Sequence, residues 1–175
     1  VYISEEPLIS ETEIATAVRR LAEEIDTDYQ GKSPVLVGVL KGAFVFLADL
    51  VRVMKTPIGS IEFVRLSSYG SSKKTSGTPE VVVGLPATAV KGRQVVVIED
   101  IVDTGLTTSE LVRHIKEFGP ASVAVCALLD KPSRRKVPLE PDYVGITIPD
   151  VFVVGYGLDF DERYRELAAI HSLLE

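Results

Sequence analysis

The chain has one cysteine, one methionine, two histidines and no tryptophan. A lone cysteine excludes an intramolecular disulfide and suits a reducing compartment. Cys126 lies within the apolar run 121–129, where it reads as a buried core thiol and not as a nucleophile. His114 and His171 show no metal-ligand spacing, so neither is read as catalytic. No apolar run approaches the roughly 18 to 20 residues that a membrane span needs. Residues 1–10 carry Glu5 and Glu6 where a secretory signal would be basic and then apolar. A cytoplasmic protein without a membrane partner is therefore expected. Basic excess is missing as well: 19 Lys and Arg against 25 Asp and Glu leave a net charge of -6. Such a surface has no general attraction for nucleic acid, so an anionic ligand must be held by local groups. There is also no P-loop, since no glycine is followed by four residues and then Gly-Lys-Ser/Thr.

What is present is enough apolar material for a core. With 46% hydrophobic residues in 175, one compact domain is the default. Ser10 followed by Glu13 forms a capping-box pattern, and Ile14, Val18, Leu21 and Ile25 recur at helical spacing, which predicts a helix over about 11–28. Residues 34–40 form a short, valine-rich apolar run of the kind buried on both faces of a parallel sheet. A helix over 43–53 and a strand over 58–67 are expected next. The polar segment 69–79 reads as a loop, either a lid or a disordered tip. Then come a strand over 94–99, a helix over 107–118 ended by Gly119 and Pro120, and a strand over 122–129. This βαβ order predicts an α/β fold, with a central, mostly parallel sheet flanked by helices and ligands bound beyond the strands' carboxyl ends. Strands near 143–148 and 151–154 and a helix over about 161–174 complete the expectation. The whole is read as a single domain, 1–175, with a core of about 11–130. A small hood of about 131–175, together with the N-terminal segment, would cover the site.

The segment Val95-Val96-Val97-Ile98-Glu99-Asp100-Ile101-Val102-Asp103-Thr104-Gly105-Leu106-Thr107-Thr108 ends a buried strand with three carboxylates and then supplies glycine and hydroxyls where a helix begins. Adjacent acids at a strand end can accept hydrogen bonds from vicinal ribose hydroxyls, and helix-start N–H groups with threonine hydroxyls suit a phosphate dianion. Asp103 lies between these two functions. The plainer alternative, a capped helix with solvated turn acids, does not account for three acids directly after an apolar strand. Reading Asp103-Thr104-Gly105 as an aspartic protease triplet requires an all-β setting that the flanking pattern lacks.

This segment resembles the phosphoribosyl diphosphate (PRPP) binding motif of the type I phosphoribosyltransferases. The resemblance runs through nearly the whole chain. Leu40-Lys41-Gly42, Ser68-Tyr69, Lys131 and Ile148-Pro149-Asp150-Val151-Phe152-Val153-Val154-Gly155-Tyr156-Gly157-Leu158-Asp159 are similar, in order, to the hypoxanthine-guanine branch of that family.

The resemblance implies a transferase that joins a purine N9 to ribose C1 with loss of pyrophosphate, with Mg²⁺ as cofactor and IMP, and also GMP, as products. It implies that Glu99 and Asp100 hold the ribose hydroxyls, that Asp103 exchanges a proton with purine N7, and that Thr104, Gly105, Leu106, Thr107 and Thr108 bind the 5′-phosphate. Leu106 stands where some relatives carry lysine, so that cation is missing here. Lys41, Gly42 and Arg165 are implied for pyrophosphate, with a non-proline cis peptide between Leu40 and Lys41. Ser68 and Tyr69 match the start of a lid that excludes water. For the purine site the implied residues are Lys131 at the 6-oxo group, Phe152 stacking on the ring and Val153 reading its edge through the backbone, together with Leu158 and Asp159. Mg²⁺ would be held mainly by substrate oxygens, with Asp159, Glu99 and Asp100 as protein partners. Relatives form dimers or tetramers, so at least a homodimer is expected. Two rivals remain: a nucleotide-binding regulator on the same fold, and a transferase for xanthine, which shares the 6-oxo group.

Overall fold

The computed structural model describes residues 1–67 and 80–174. In chain order the elements are β1 (Tyr2–Ile3), α1 (Glu11–Asp28), β2 (Val35–Leu40), α2 (Phe44–Val53), β3 (Ser60–Ser67), β4 (Glu80–Val83) and the one-turn α3 (Ala87–Val90). They continue with β5 (Gln94–Val102), α4 (Leu106–Glu117), β6 (Ser122–Asp130), a 3₁₀ turn over Pro132–Arg134, β7 (Tyr143–Thr147), β8 (Val153–Val154) and β9 (His171–Leu174).

Helix α1 starts where the capping box places it. The Glu13 N–H donates to Ser10 Oγ at 3.2 Å, and the Ser10 N–H donates to Glu13 Oε2 at 2.8 Å. Two orphan N–H groups of the first turn are thereby satisfied. The helix buries Ile14, Val18, Leu21 and Ile25, the predicted stripe, together with Ala17 and Ala22.

The main sheet has the order β4-β3-β2-β5-β6-β7, with β2, β3, β5, β6 and β7 mutually parallel and β4 antiparallel at the edge. Strand periodicity divides its side chains between two cores. Leu36, Val96, Ile98, Cys126 and Leu128 face Leu21, Ile25, Phe46 and Leu50 of α1 and α2. Val35, Val37, Val95, Val97, Val125 and Ala127 face Leu111 and Ile115 of α4. Because both faces are covered, these strands read as continuous apolar runs. Cys126 is fully buried, and burial pushes its thiol pKa upward, as a core thiol requires.

From β2 the chain moves to β3 on one side, and from β5 it moves to β6 on the other. The carboxyl ends of β2 and β5 therefore flank the topological switch point, where the crevice of an open α/β sheet lies. The acidic turn leaves β5 at this place, and Lys41 and Gly42 leave β2 beside it.

The tail departs from expectation. No helix occupies 161–174. Asp161, Glu162 and Tyr164 have φ of 53°, 61° and 78°, Phe160 bridges Arg163, and residues 171–174 form β9. Strand pairing takes the place of the helix: β9 lies between β1 and β8, and Ile170 pairs with Ile9 and is fully buried. The partner is the opposite end of the chain, which local periodicity cannot reveal. β7, within the span expected for the hood, pairs with β6 in the main sheet, so the sheet extends past residue 131. The short strands β1 and β4 were not expected from the sequence. Ser68 and Tyr69, expected to begin a lid, lie outside the described residues, as does the rest of the polar segment up to residue 79.

Candidate active site

β5 continues three residues beyond its predicted end, through Val102, and carries the first two acids into the crevice. Glu99 is buried and accepts a hydrogen bond from Thr108 Oγ1 at 2.8 Å. Burial, reinforced by the neighbouring Asp100 charge, raises its pKa to about 8, against partial relief from Thr108. Asp100 is half-buried and accepts from the Ile101 N–H at 2.8 Å. Desolvation raises its pKa to about 6, Asp159 adds to the rise, and Arg165 opposes it. At neutral pH the protein therefore holds Glu99 largely protonated.

Gly105 has φ of 81°, a left-handed conformation that turns the chain into α4 without a β-carbon penalty. No side chain caps α4 at Gly105 and no acid occupies its first turn. The first helical hydrogen bond runs from Ser109 N–H to Gly105 C=O at 2.9 Å, so the amides of Leu106, Thr107 and Thr108 precede it. Thr104 Oγ1 accepts from Leu106 N–H at 3.3 Å. Thr107 and Thr108 border a concavity of about 220 Å³ that Glu99, Asp100, Ile101, Asp103, Thr104 and Gly105 also line. A helix N-terminus with hydroxyls around it suits a phosphate dianion.

Asp103 is held from outside the turn. Arg134 Nε donates to its Oδ1 at 3.0 Å, and Arg134 Nη1 lies 3.6 Å from Asp150 Oδ2. Arg135 lies beneath: its Nη1 donates to the Asp103 carbonyl at 2.6 Å, and its Nη2 pairs with buried Asp130 at 2.5 Å. Neither arginine was singled out in the sequence; the only signal there is their position three and four residues after Lys131.

The peptide between Leu40 and Lys41 is cis, as the resemblance implies. Gly42 packs so closely on Asp100 that an added β-carbon would overlap Oδ2, and Gly157 in turn lies against the Gly42 carbonyl. Arg165, mostly buried, donates to the Gly157 carbonyl at 2.8 Å and pairs with Asp159 at 3.0 Å. Its Nε is buried with no hydrogen-bond partner among the described residues. Glu162 joins the two cations, with Lys41 Nζ at 2.8 Å and Arg165 Nη2 at 3.2 Å, and it too went unnoticed in the sequence. Lys41, Gly42, Asp100, Asp159 and Arg165 thus meet at one place although three separate segments supply them.

Lys131 is buried at the end of β6, and its N–H donates to the Val102 carbonyl at 2.9 Å, beside the acidic turn. Phe152 stays 53% exposed and meets Phe160 edge-on at 5.9 Å, so one ring face is available. Val153 is buried, which leaves its backbone as the part able to read a ligand. Leu158 is buried with the core cluster, and its N–H and carbonyl are both bonded to Gly155. His114 meets Phe118 edge-on and His171 Nδ1 lies 2.9 Å from the Ser4 carbonyl, both apart from this constellation.

Among the described residues, no group of three or more His, Cys, Asp or Glu side chains is arranged to hold a metal ion alone. Glu99 and Asp100 nonetheless bring two carboxyl groups together with only the Thr108 hydroxyl and the Ile101 N–H as hydrogen-bond partners and no salt bridge among the described residues. That donor set fits a hard divalent cation brought in on substrate oxygens, with few protein ligands.

A crevice at the switch point, an acidic strand end and a helix start without a side-chain cap at Gly105 together suit a phosphorylated sugar. The family model for the phosphoribosyl transferase domain matches residues 9–161, and the chain belongs to that family. It is 46% identical to the hypoxanthine-guanine phosphoribosyltransferase of Bacillus subtilis (strain 168), over 97% of this chain and 93% of that one. It is 48% identical to the bifunctional protein TilS/HprT of Listeria monocytogenes, over 95% of this chain and 25% of that protein. The crystal structure of a Bacillus anthracis hypoxanthine-guanine phosphoribosyltransferase with HEPES in its active site superposes with a TM-score of 0.92 at 43% identity, covering 99% of this chain and 100% of that one.

Proposed function

We propose that this protein is a purine salvage transferase that converts hypoxanthine, and also guanine, with PRPP into IMP or GMP and pyrophosphate. The observation that carries this reading is the Glu99-Asp100-Ile101-Val102-Asp103 turn, set at the switch-point crevice and followed directly by the N-terminus of α4. Glu99 and Asp100 accept hydrogen bonds from the ribose hydroxyls. The amides and hydroxyls of residues 104–108 bind the 5′-phosphate, and Lys41, Gly42 and Arg165 meet the diphosphate. Phe152 stacks on the purine and the Val153 backbone reads its edge. Lys131 donates to the 6-oxo group, which favours hypoxanthine and guanine over adenine. Asp103 takes or returns the N7 proton as N9 bonds to C1 and the diphosphate departs. As positive charge grows on the ribose, the carboxylates around it favour that state over the ground state.

Asp159, Glu99 and Asp100 are the residues that would hold Mg²⁺, alongside substrate oxygens, and when bound the ion would supply charge neutralisation for the diphosphate. Residues 148–174 with the N-terminal segment form the hood, whose boundary falls after β7. The protein is placed in the cytoplasm, in keeping with a single buried thiol and with no described helix long and apolar enough to cross a membrane. It assembles as a homodimer or homotetramer; exposed Phe44 and Val53 border a groove of about 710 Å³ between α1, α2 and residues 165–168 that supports such an interface. Sedimentation that gives only monomer at micromolar concentration would remove that assignment.

The direct test incubates the protein with PRPP, Mg²⁺ and, separately, hypoxanthine, guanine, xanthine, adenine or uracil, with a Mg-free control. Mg-dependent IMP and GMP are expected. XMP alone would reassign the base pocket to xanthine, and no consumption of any base would favour the regulator.

A further inference from the structure

Glu162 lies where the two cations assigned to the diphosphate meet. Its backbone is fixed: the N–H donates to Asp159 Oδ2 at 2.9 Å, and φ is 61°. Its carboxylate divides between the cations, Oε2 at 2.8 Å from Lys41 Nζ and Oε1 at 3.2 Å from Arg165 Nη2. One anion that bridges two cations through separate oxygens reproduces the charge and connectivity of a diphosphate end.

We propose that Glu162 is a stand-in anion that occupies Lys41 and Arg165 in the free protein and exchanges with the diphosphate on binding. The inference rests on the assignment of Lys41 and Arg165 to the diphosphate.

Three features make the exchange easy. The Glu162 and Lys41 side chains are 63% and 43% exposed, and ion pairs in such settings are weak. A diphosphate carries more charge and more acceptor oxygens than one carboxylate, so it wins the same cations. Arg165 does not depend on Glu162 for its place, because Asp159 and the Gly157 carbonyl also hold it. Only the Glu162 side chain has to swing outward, while its backbone stays anchored to Asp159. When pyrophosphate leaves, the returning carboxylate competes for both cations and speeds release.

The test measures binding of magnesium pyrophosphate by calorimetry to the unaltered chain, to Glu162→Gln and to Asp161→Asn. The last removes the same unit of charge from the adjacent residue, whose carboxylate lies 4.0 Å from Arg163. Glu162→Gln should bind roughly three- to tenfold tighter, since it removes the competing charge from Lys41 and Arg165, whereas Asp161→Asn should stay within about twofold. In turnover, the KM for PRPP should fall in Glu162→Gln with the KM for the purine unchanged, and high salt should narrow the gap from the unaltered chain. Weaker or unchanged binding in Glu162→Gln, or an equal gain in Asp161→Asn, overturns the inference. If the unaltered chain makes nucleotide and binds magnesium pyrophosphate, such a result removes the role of Glu162 alone. If the unaltered chain does neither, the diphosphate assignment falls and this inference falls with it.

Discussion

Arg134 holds Asp103: its Nε donates to Oδ1 at 3.0 Å, and the same guanidinium reaches toward Asp150, two residues before the exposed Phe152. The carboxylate in the middle of the acidic turn is thereby oriented before any ligand arrives. Asp103→Asn keeps the shape and removes the proton exchange, so turnover should fall by about 10² to 10⁴ while the KM for PRPP changes little. Steady-state kinetics decide this, and unchanged turnover would remove Asp103 from the chemistry.

Glu99 predicts how the free protein responds to pH. Its folded pKa, about 8, lies above the ordinary carboxyl value of 4.5, so between those values the folded state binds more protons than the unfolded state. The stabilisation of the protonated form is fully present below about pH 4.5 and is lost as pH rises through 8. Asp100 acts with the same sign over the lower window, between 3.8 and about 6. The thermal midpoint attributable to this pair should therefore fall from pH 5.5 to 8.5, and Glu99→Gln should flatten that fall. A midpoint that declines equally in the variant would show that the slope has another origin.

Gly42 has no room for a side chain. A β-carbon there would overlap Asp100 Oδ2, and relief would require moving an acid of the ribose site or the loop that carries Lys41. Gly42→Ala should lower stability by about 1 to 3 kcal/mol, the usual cost of overpacking. It should also reduce kcat/KM for PRPP more than tenfold, by the rough rule that 1.4 kcal/mol is one decade. Denaturant unfolding together with kinetics tests both parts.

Arg135 and Asp130 form the buried ion pair beneath the turn, with side chains only 9% and 7% exposed. Arg135→Ala strands a buried carboxylate and should cost about 3 to 5 kcal/mol. Adding Asp130→Asn should restore part of the loss, because the uncompensated charge is then gone. Urea unfolding of both variants measures the difference, and a single variant as stable as the unaltered chain would contradict the pairing.

Phe152 presents a ring that is half exposed and meets only Phe160, edge-on, among the aromatic side chains of the described residues. Phe152→Ala should raise the KM for hypoxanthine roughly three- to tenfold, the worth of an aromatic pair, with the KM for PRPP little changed. Equal effects on both constants would mean that the residue supports the hood and not the base.

Much of this protein is determined locally, and the sequence by itself determined that much. The stripe Ile14, Val18, Leu21 and Ile25, the reciprocal cap of Ser10 and Glu13, and the alternation that sends Val95 and Val96 to opposite cores depend on neighbours within a few residues. The acidic turn is equally local, because a strand end, a glycine at positive φ and a helix start are contiguous in the chain. What only the tertiary structure decided depends on distant partners. The tail became a strand because Ile9 and β1 offer pairing that residues 161–174 cannot find among themselves. Leu158 turned into the core, Arg134 reached Asp103, and Glu162 came between Lys41 and Arg165. In each case the free energy comes from groups that only the folded chain brings together, and local periodicity carries no trace of such contacts.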